Sequence, residues 1–358
     1  MAAVSAMEHA GVPIDVQTHS LLCERWTDIQ DKLIAEIVRD MAKIFPTVSP
    51  IRELRSSLAD LRLSDLQIGR DGRNRAMLGP FGTRTGRNAP SNSKFIFGPS
   101  VWIRSLIKPP PGHGLAYLDF SAQEFGIAAA LSGDENMIAA YLSGDPYLAF
   151  GKQGGILPPD AQRKDYGAER EMLKACILGL QYGMGEFTLA HRIDRSPLVA
   201  RSLIQVHQET YRQFWKWIEH QVDMAMLTNV IRSVFGWTQH VNAKNCNPRS
   251  FLNFPMQANG AEMLRLACGL ATEAAIEVVA PVHDALMILT PPERLEADIE
   301  RTRRCMAEAS RVVLGGFEIR VDAKVIRWPD RYFDPRGRVM WERVCKLIEK
   351  PRSHAAVA

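Results

Sequence analysis

LAYLDFSAQEFG at residues 115–126 and APVHDALMIL at residues 280–289 are the stretches on which the fold turns. Each is a short apolar run that delivers one aspartate, Asp119 or Asp284. LAYLDF follows a PPPGHG turn and reads as a strand, with a helix opening at Gln123. The second stretch reads as two strands, Ile276–Ala280 and Ala285–Leu289, with Pro281 to Asp284 in the turn between them. Between these segments lies REMLKACILGLQYG (170–183), a helical pattern broken near Gly183–Gly185. It places Arg170, Lys174, Leu178 and Tyr182 on one slowly drifting helix face. Two carboxylates that can hold a pair of divalent cations, with a cationic helix that can grip a triphosphate, are the parts that nucleotidyl transfer needs. The plainer alternatives stay open: a strand-end aspartate capping a helix, a turn aspartate and a solvated basic stripe.

Outward from this centre the chain reads as mixed α and β. Leu21, Leu22, Trp26, Ile29, Leu33, Ile34, Ile37 and Met41 recur at three- to four-residue spacing, which predicts an amphipathic helix over 18–45. Ser49 and Pro50 open a second helix through Leu61. Residues 79–112, rich in Gly, Pro, Ser and Asn, read as an extended loop region. A single long helix is expected over 198–228, a hairpin around Phe235–Gly236–Trp237, a helix over 256–275, a helix over 293–314 and a closing strand over 317–327.

At 46% hydrophobic and 23% charged residues, the 358-residue chain can build a sizeable core. It has no apolar run near the roughly 20 residues of a membrane span and no secretory signal pattern at MAAVSAMEHAGVPID, so a cytoplasmic, nucleoid-associated location is expected. The six cysteines are scattered without a C-x-x-C pair and read as reduced thiols. Residues 51–110 hold eleven Lys/Arg against four Asp/Glu, more positive than the +4 of the whole chain, which suits contact with a phosphate backbone.

The three segments, in this order, resemble motifs A, B and C of family A DNA polymerases. SFLNFPMQANGAEML (250–264) resembles the family's template–primer helix, TRTGRN (83–88) its TGR element, and HAGVPID the entry to its thumb. The resemblance runs from about residue 80 to about residue 330. It implies an α+β right hand with an antiparallel palm sheet, helical fingers and a reduced helical thumb. The expected division is a thumb-like region over 1–80, palm over 81–133, fingers over 134–240, and a second palm part with a C-terminal tail over 241–358.

By the same resemblance, Asp119, Asp284 and the backbone carbonyl of Phe120 would ligate two Mg²⁺ ions, with Mn²⁺ as an alternative. Lys174 and Arg170 would bind the triphosphate of an incoming dNTP, with Leu178 and Tyr182 near the base. Glu124 would be the gate that excludes a ribose 2′-hydroxyl. Arg249, Asn253 and Gln257 would read minor-groove acceptors without regard to sequence. Arg87, Arg104 and His283 would lie near the primer end. Primer–template DNA and dNTPs are the implied partners. The chain has no room for a preceding 3′–5′ exonuclease domain, so proofreading is expected from a separate exonuclease or from other replication proteins.

Departures from the pattern qualify this. Ala285 stands where glutamate usually follows His-Asp, Leu178 replaces an aromatic residue, Gly126 replaces an arginine and Tyr147 a histidine. Two rival readings remain open: a non-catalytic DNA-binding protein on the polymerase fold, favoured by Ala285, and a single-subunit RNA polymerase or primase, opposed by Glu124.

Overall fold

The computed structural model describes residues 1–42, 63–242 and 248–349. Beside two short antiparallel pairs, β1–β2 (Val12–Pro13, Arg73–Asn74) and β4–β5 (Val230–Arg232, Thr238–His240), its centre is a four-stranded antiparallel sheet in the order β6-β7-β3-β8, formed by Val278–Val282, Ala285–Thr290, Gly114–Phe120 and Val321–Arg327. β3 is therefore an interior strand, and its register decides the site. Asp119 is opposite Ala285 on one side and Asp322 on the other, and Tyr117 is opposite Met287 and Lys324. Residues directly opposite one another share a face, so Asp119, Tyr117, Ala285, Asp322 and Lys324 point the same way. The other face carries Gly114, Ala116 and Leu118 and is covered by α11 (Leu295–Val313). The fit there is tight: a Cβ on Gly114 would meet Leu295 Cδ2 at 2.9 Å. β6 and β7 are buried along their whole length, as their unbroken apolar runs require.

Helices complete the chain. α1 (Ala2–Ala10) lies on β6, and α2 (Val16–Ala42) fulfils the amphipathic pattern of the N-terminal region. The helix read from Ser49 falls outside the described residues. Between β3 and β8 come α3 (Gln123–Ser132), α4 (Glu135–Leu142), α5 (Pro146–Gln153), α6 (Gly167–Gln181), α7 (Glu186–Ile193), α8 (Pro197–Thr210), α9 (Arg212–Thr228) and α10 (Phe254–Glu273). The break between α6 and α7 falls at Gly183, whose φ of +72° is glycine territory.

Several expectations are corrected. The single helix over 198–228 is two, parted at Tyr211, whose φ and ψ are −116° and 53°. The cause is Asp134, far away in sequence. Its buried carboxylate caps α4 through Met137 N–H and also accepts from Gln213 N–H and Phe214 N–H at 3.0 and 3.1 Å, so it opens α9 as well. The helix expected over 256–275 starts two residues earlier as α10, with Pro255 in its first turn, where its missing N–H costs nothing. The loop region 79–112 contains a 3₁₀ turn at Val101–Leu106. The closing strand begins at Val321 and the β6 strand at Val278, later than expected. The C-terminal tail forms α12 (Arg338–Glu349), packed on α2 and on the 3₁₀ turn, with Trp102 between Trp26 and Trp341 at centroid distances of 5.7 and 6.3 Å. Cys23, Cys176, Cys268, Cys305 and Cys345 are free thiols. No helix among the described residues is long and apolar enough to cross a membrane.

Candidate active site

Asp119 and Asp284 meet at one end of the sheet. Asp119 is the penultimate residue of β3, and Asp284 stands in the two-residue turn between β6 and β7. That turn needs a left-handed residue, and His283 supplies it at φ +56°, a strained conformation for a non-glycine residue. The Phe120 N–H donates to the Asp284 carbonyl at 3.3 Å, stitching the strand end to the turn. Burial raises the Asp119 pKa well above the ordinary carboxylate range. The neighbouring Asp284 carboxyl adds to the rise, then the charge of Asp322, while the Phe120 amide opposes it. Asp119 Oδ1 is buried with no hydrogen-bond partner among the described residues. A buried, unsatisfied carboxylate oxygen beside a second carboxylate is a donor set that suits a divalent cation. Asp322, not singled out from the sequence, accepts a hydrogen bond from Ser121 Oγ beside this pair.

The residues behind the aspartates are fixed by local geometry. Ala122, left-handed at φ 48° and ψ 45°, turns the chain so that α3 starts immediately after β3 and brings Glu124 back toward the cleft. Buried Tyr141 locks this turn: its hydroxyl donates to the Ser121 carbonyl at 3.1 Å and accepts from Arg320 N–H at 2.9 Å.

A polar chain crosses the cleft mouth. Gln257 Nε2 donates to the Tyr182 hydroxyl at 2.9 Å, and that hydroxyl donates to Glu124 Oε1, also at 2.9 Å. The Arg87 guanidinium lies 3.5 Å from the same Glu124 oxygen. Four residues read separately from the sequence are thus brought together. Buried Asn253 lies beside Tyr182, and Arg249 stands on the Gly183 turn that follows α6. Arg249 sits in a 3₁₀ turn and Asn253 is the N-cap of α10, so the stripe they form with Gln257 is not one continuous α-helix.

Arg170 and Lys174 flank Tyr147, with the guanidinium carbon 5.2 Å and the ammonium 5.6 Å from the ring centroid. Arg170 is buried and its Nε donates to Asp145 at 2.5 Å, with a second contact to Glu171. Leu178 is half-buried one turn further along the same helix. Arg104 is held by Asp334 at 3.1 Å and by the Phe97 carbonyl at 3.1 Å. It lines a cleft of about 950 Å³ with Arg87, His283, Phe81, Arg265 and α1. Burial lowers the His283 pKa. Asp284 opposes this, and the charges of Arg104, Arg87 and Arg336 lower it further. Of the basic stretch, Arg73, Arg75, Arg87 and Arg104 are ion-paired within the protein, so its positive character is partly spent internally.

Sequence reading missed Asp145, Asp334, Arg336 and Arg265. Arg265 is one of the few that had a signal, since it continues the Gln257 face of α10 by two turns. Its guanidinium sits 4.2 Å from the Phe81 ring centroid and donates to the Gly86 carbonyl at 2.8 Å. Trp237 Nε1 donates to the Arg84 carbonyl at 2.9 Å, and the two residues hold the TRTGRN loop in place.

A family model described as "DNA polymerase family A" matches residues 63–327. The chain is 24% identical over 308 residues to DNA polymerase I of Chloroflexus aurantiacus, a match covering 78% of this chain and 32% of that protein. It is 24% identical over 292 residues to the thermostable DNA polymerase I of Thermus aquaticus, covering 74% and 34%. It is 28% identical over 226 residues to the DNA polymerase of Mycobacterium phage D29, covering 61% and 35%. The matches thus span about a third of each of these relatives. Among solved structures, the POL domain of Pol1 from M. smegmatis, in complex with DNA primer–template and dNTP, superposes with a TM-score of 0.75 at 18% identity. The superposition covers 91% of this chain and 68% of that one. The fold is that of a polymerase domain.

Proposed function

Since the chain belongs to DNA polymerase family A, we propose that it is a DNA-templated DNA polymerase that transfers a nucleotide from a dNTP to a primer 3′-hydroxyl. The observation that carries this reading is the convergence of Asp119 and Asp284, two half-buried carboxylates from distant segments, side by side at a sheet end where one buried Asp119 oxygen lacks a partner among the described residues. We assign the sheet with β3, β6, β7 and β8 to the palm, α4 to α9 to the fingers, and α1 and α2 to a reduced thumb-like region.

Asp119, Asp284 and the Phe120 carbonyl would hold two Mg²⁺ ions, with Mn²⁺ as a substitute. When bound, such ions acidify the 3′-hydroxyl and neutralise charge gathering at the transferred phosphoryl group. The rest falls to the chain's own groups. Lys174, half-buried beside Tyr147, meets the triphosphate. Arg170 braces that end of α6 through Asp145 and reaches the triphosphate only if that pair opens. Glu124 occupies the space beside the sugar. Tyr182, Asn253 and Gln257 line the nascent pair on the minor-groove side, and Arg87 and His283 face the primer end.

The test is extension of a labelled primer on a short template with each dNTP alone, under Mg²⁺ and then Mn²⁺. Templated addition is expected, with Asp119→Ala and Asp284→Ala folded, as judged by circular dichroism, and inactive. Extension by either variant overturns the assignment. Tight DNA binding without addition by the wild-type protein would favour the non-catalytic reading, for which Ala285, opposite Asp119, is the structural reason.

A further inference from the structure

The family match ends at residue 327, where β8 ends, but the chain does not leave the site there. It folds back along the palm as a strap before entering α12. Tyr332 N–H donates to the Ile107 carbonyl at 2.9 Å. Arg331 donates to the Ser105 carbonyl and to Asp15, both at 2.8 Å, and the Lys324 ammonium donates to the Phe333 carbonyl. At Gly337 the strap touches the 3₁₀ turn so closely that a Cβ would stand 2.6 Å from Trp102 Cα.

The strap carries Asp334, which is only 7% exposed and binds two arginines. It accepts from Arg104 Nη1 at 3.1 Å, from Arg336 Nε at 3.0 Å and from Arg336 Nη2 at 2.7 Å. One carboxylate shared by two guanidiniums leaves the trio with a net positive charge. The Arg336 side chain is nevertheless 73% exposed, and its Nη1 makes no hydrogen bond among the described residues. A guanidinium fixed on one edge and open on the other is built to take an anionic oxygen. The trio borders the cleft that Arg87 and His283 line, and the charge of Arg336 is felt at His283.

We propose that Arg336, oriented by Asp334, binds a backbone phosphate of the primer strand near its 3′ end. The strap that follows the family's matched segment thereby adds a nucleic-acid contact to the palm. The proposal rests on the polymerase reading above, and it supplies a grip on the primer strand from the palm side.

The test is binding of a fluorescent primer–template to the full chain, followed by anisotropy across a range of KCl concentrations. Arg336→Ala should weaken the Kd several-fold at low salt and reduce the slope of log K against log[salt] by about 1, as expected for one lost phosphate contact. Arg336→Lys, which keeps the charge, should recover most of the slope. A primer carrying neutral methylphosphonates at its terminal linkages should remove the difference between wild type and Arg336→Ala, whereas the same substitution in the template should preserve it. Identical Kd and slope in Arg336→Ala overturn the proposal, as does loss of the difference with the modified template. Failure of the wild-type protein both to bind and to extend DNA sinks the polymerase reading itself. Wild-type extension with an indistinguishable Arg336→Ala sinks this contact alone.

Discussion

Tyr182 donates a 2.9 Å hydrogen bond to Glu124, joining the end of the α6 helix to the first turn of α3 across the mouth of the cleft. The bond fixes the Glu124 carboxylate at the cleft mouth, which the proposed function assigns to the sugar side of the nucleotide. Glu124→Ala opens that space and should reduce discrimination against rNTPs by at least about tenfold, a loss of roughly 1.4 kcal/mol. Tyr182→Phe keeps the ring and removes the tether, so it should move discrimination in the same direction by less. Single-nucleotide incorporation of dNTP against rNTP measures both. Unchanged ratios in Glu124→Ala would remove the gate assignment.

Burial and repulsion from the neighbouring Asp284 carboxyl penalise a charge on Asp119 in metal-free protein. Asp119→Asn relieves the repulsion and should raise the melting temperature in EDTA by about 2 °C or more, since about 1 kcal/mol moves a chain of this size by that order. Millimolar Mg²⁺ should raise the melting temperature of the wild-type protein and leave that of Asp119→Asn nearly unchanged, because only a ligand bound to the folded state stabilises it. Equal Mg²⁺ shifts in both would show that the ion binds elsewhere.

Gly126 stands where the family pattern has an arginine, and the structure gives the reason. A Cβ there would lie 2.3 Å from Ile319 Cδ1 and 2.9 Å from the Tyr141 ring. Tyr141 also anchors the Ser121 carbonyl behind the site. Gly126→Ala should therefore cost about 1–3 kcal/mol by overpacking and lower extension activity as the β3–α3 turn shifts. Urea melts and extension assays on the same preparation check both effects.

His207 is fully buried among Phe150, Tyr211, Phe214 and Trp215, and Trp215 Nε1 donates to its Nδ1 at 3.0 Å. Burial pulls its pKa down to about 3. A depressed folded-state pKa means that the unfolded chain takes the proton first. The stability tied to neutral His207 is complete above about pH 6.5 and is lost as pH falls toward 3, at up to about 1.4 kcal/mol per pH unit. His207→Gln, whose amide can still accept from Trp215, should flatten stability against pH across that window. An unchanged acid slope would assign the effect to other groups.

What the sequence made legible was local. The apolar runs of β3 and β7 and the amphipathic spacing of α2 and α6 appear in the chain nearly where they were read, because period and burial are written into neighbouring residues. The Asp119–Asp284 carboxylate pair and the Glu124–Tyr182–Gln257 group were read one residue at a time, through the family pattern. What stayed hidden depended on partners distant in sequence. Nothing near Tyr211 announces that Asp134 will cap a new helix there. Nothing near Arg170 or Arg104 announces Asp145 or Asp334, which turn two apparent surface cations into anchored ones. Arg336 was missed because it follows the last recognisable segment.

The strand order β6-β7-β3-β8 also governs when the folded sheet can come into being. β3 emerges early in synthesis, yet both of its neighbours are encoded after the whole helical insertion that separates them from it. During translation it must wait as an unpaired, apolar strand, an exposed edge of the kind that invites misassociation. The helices of the insertion can pack among themselves from local contacts, but the sheet must close loops of great length, which is the slow class of folding event. The two aspartates therefore come together only after β6 and β7 have been made, so a nascent or truncated chain carries Asp119 without Asp284 beside it.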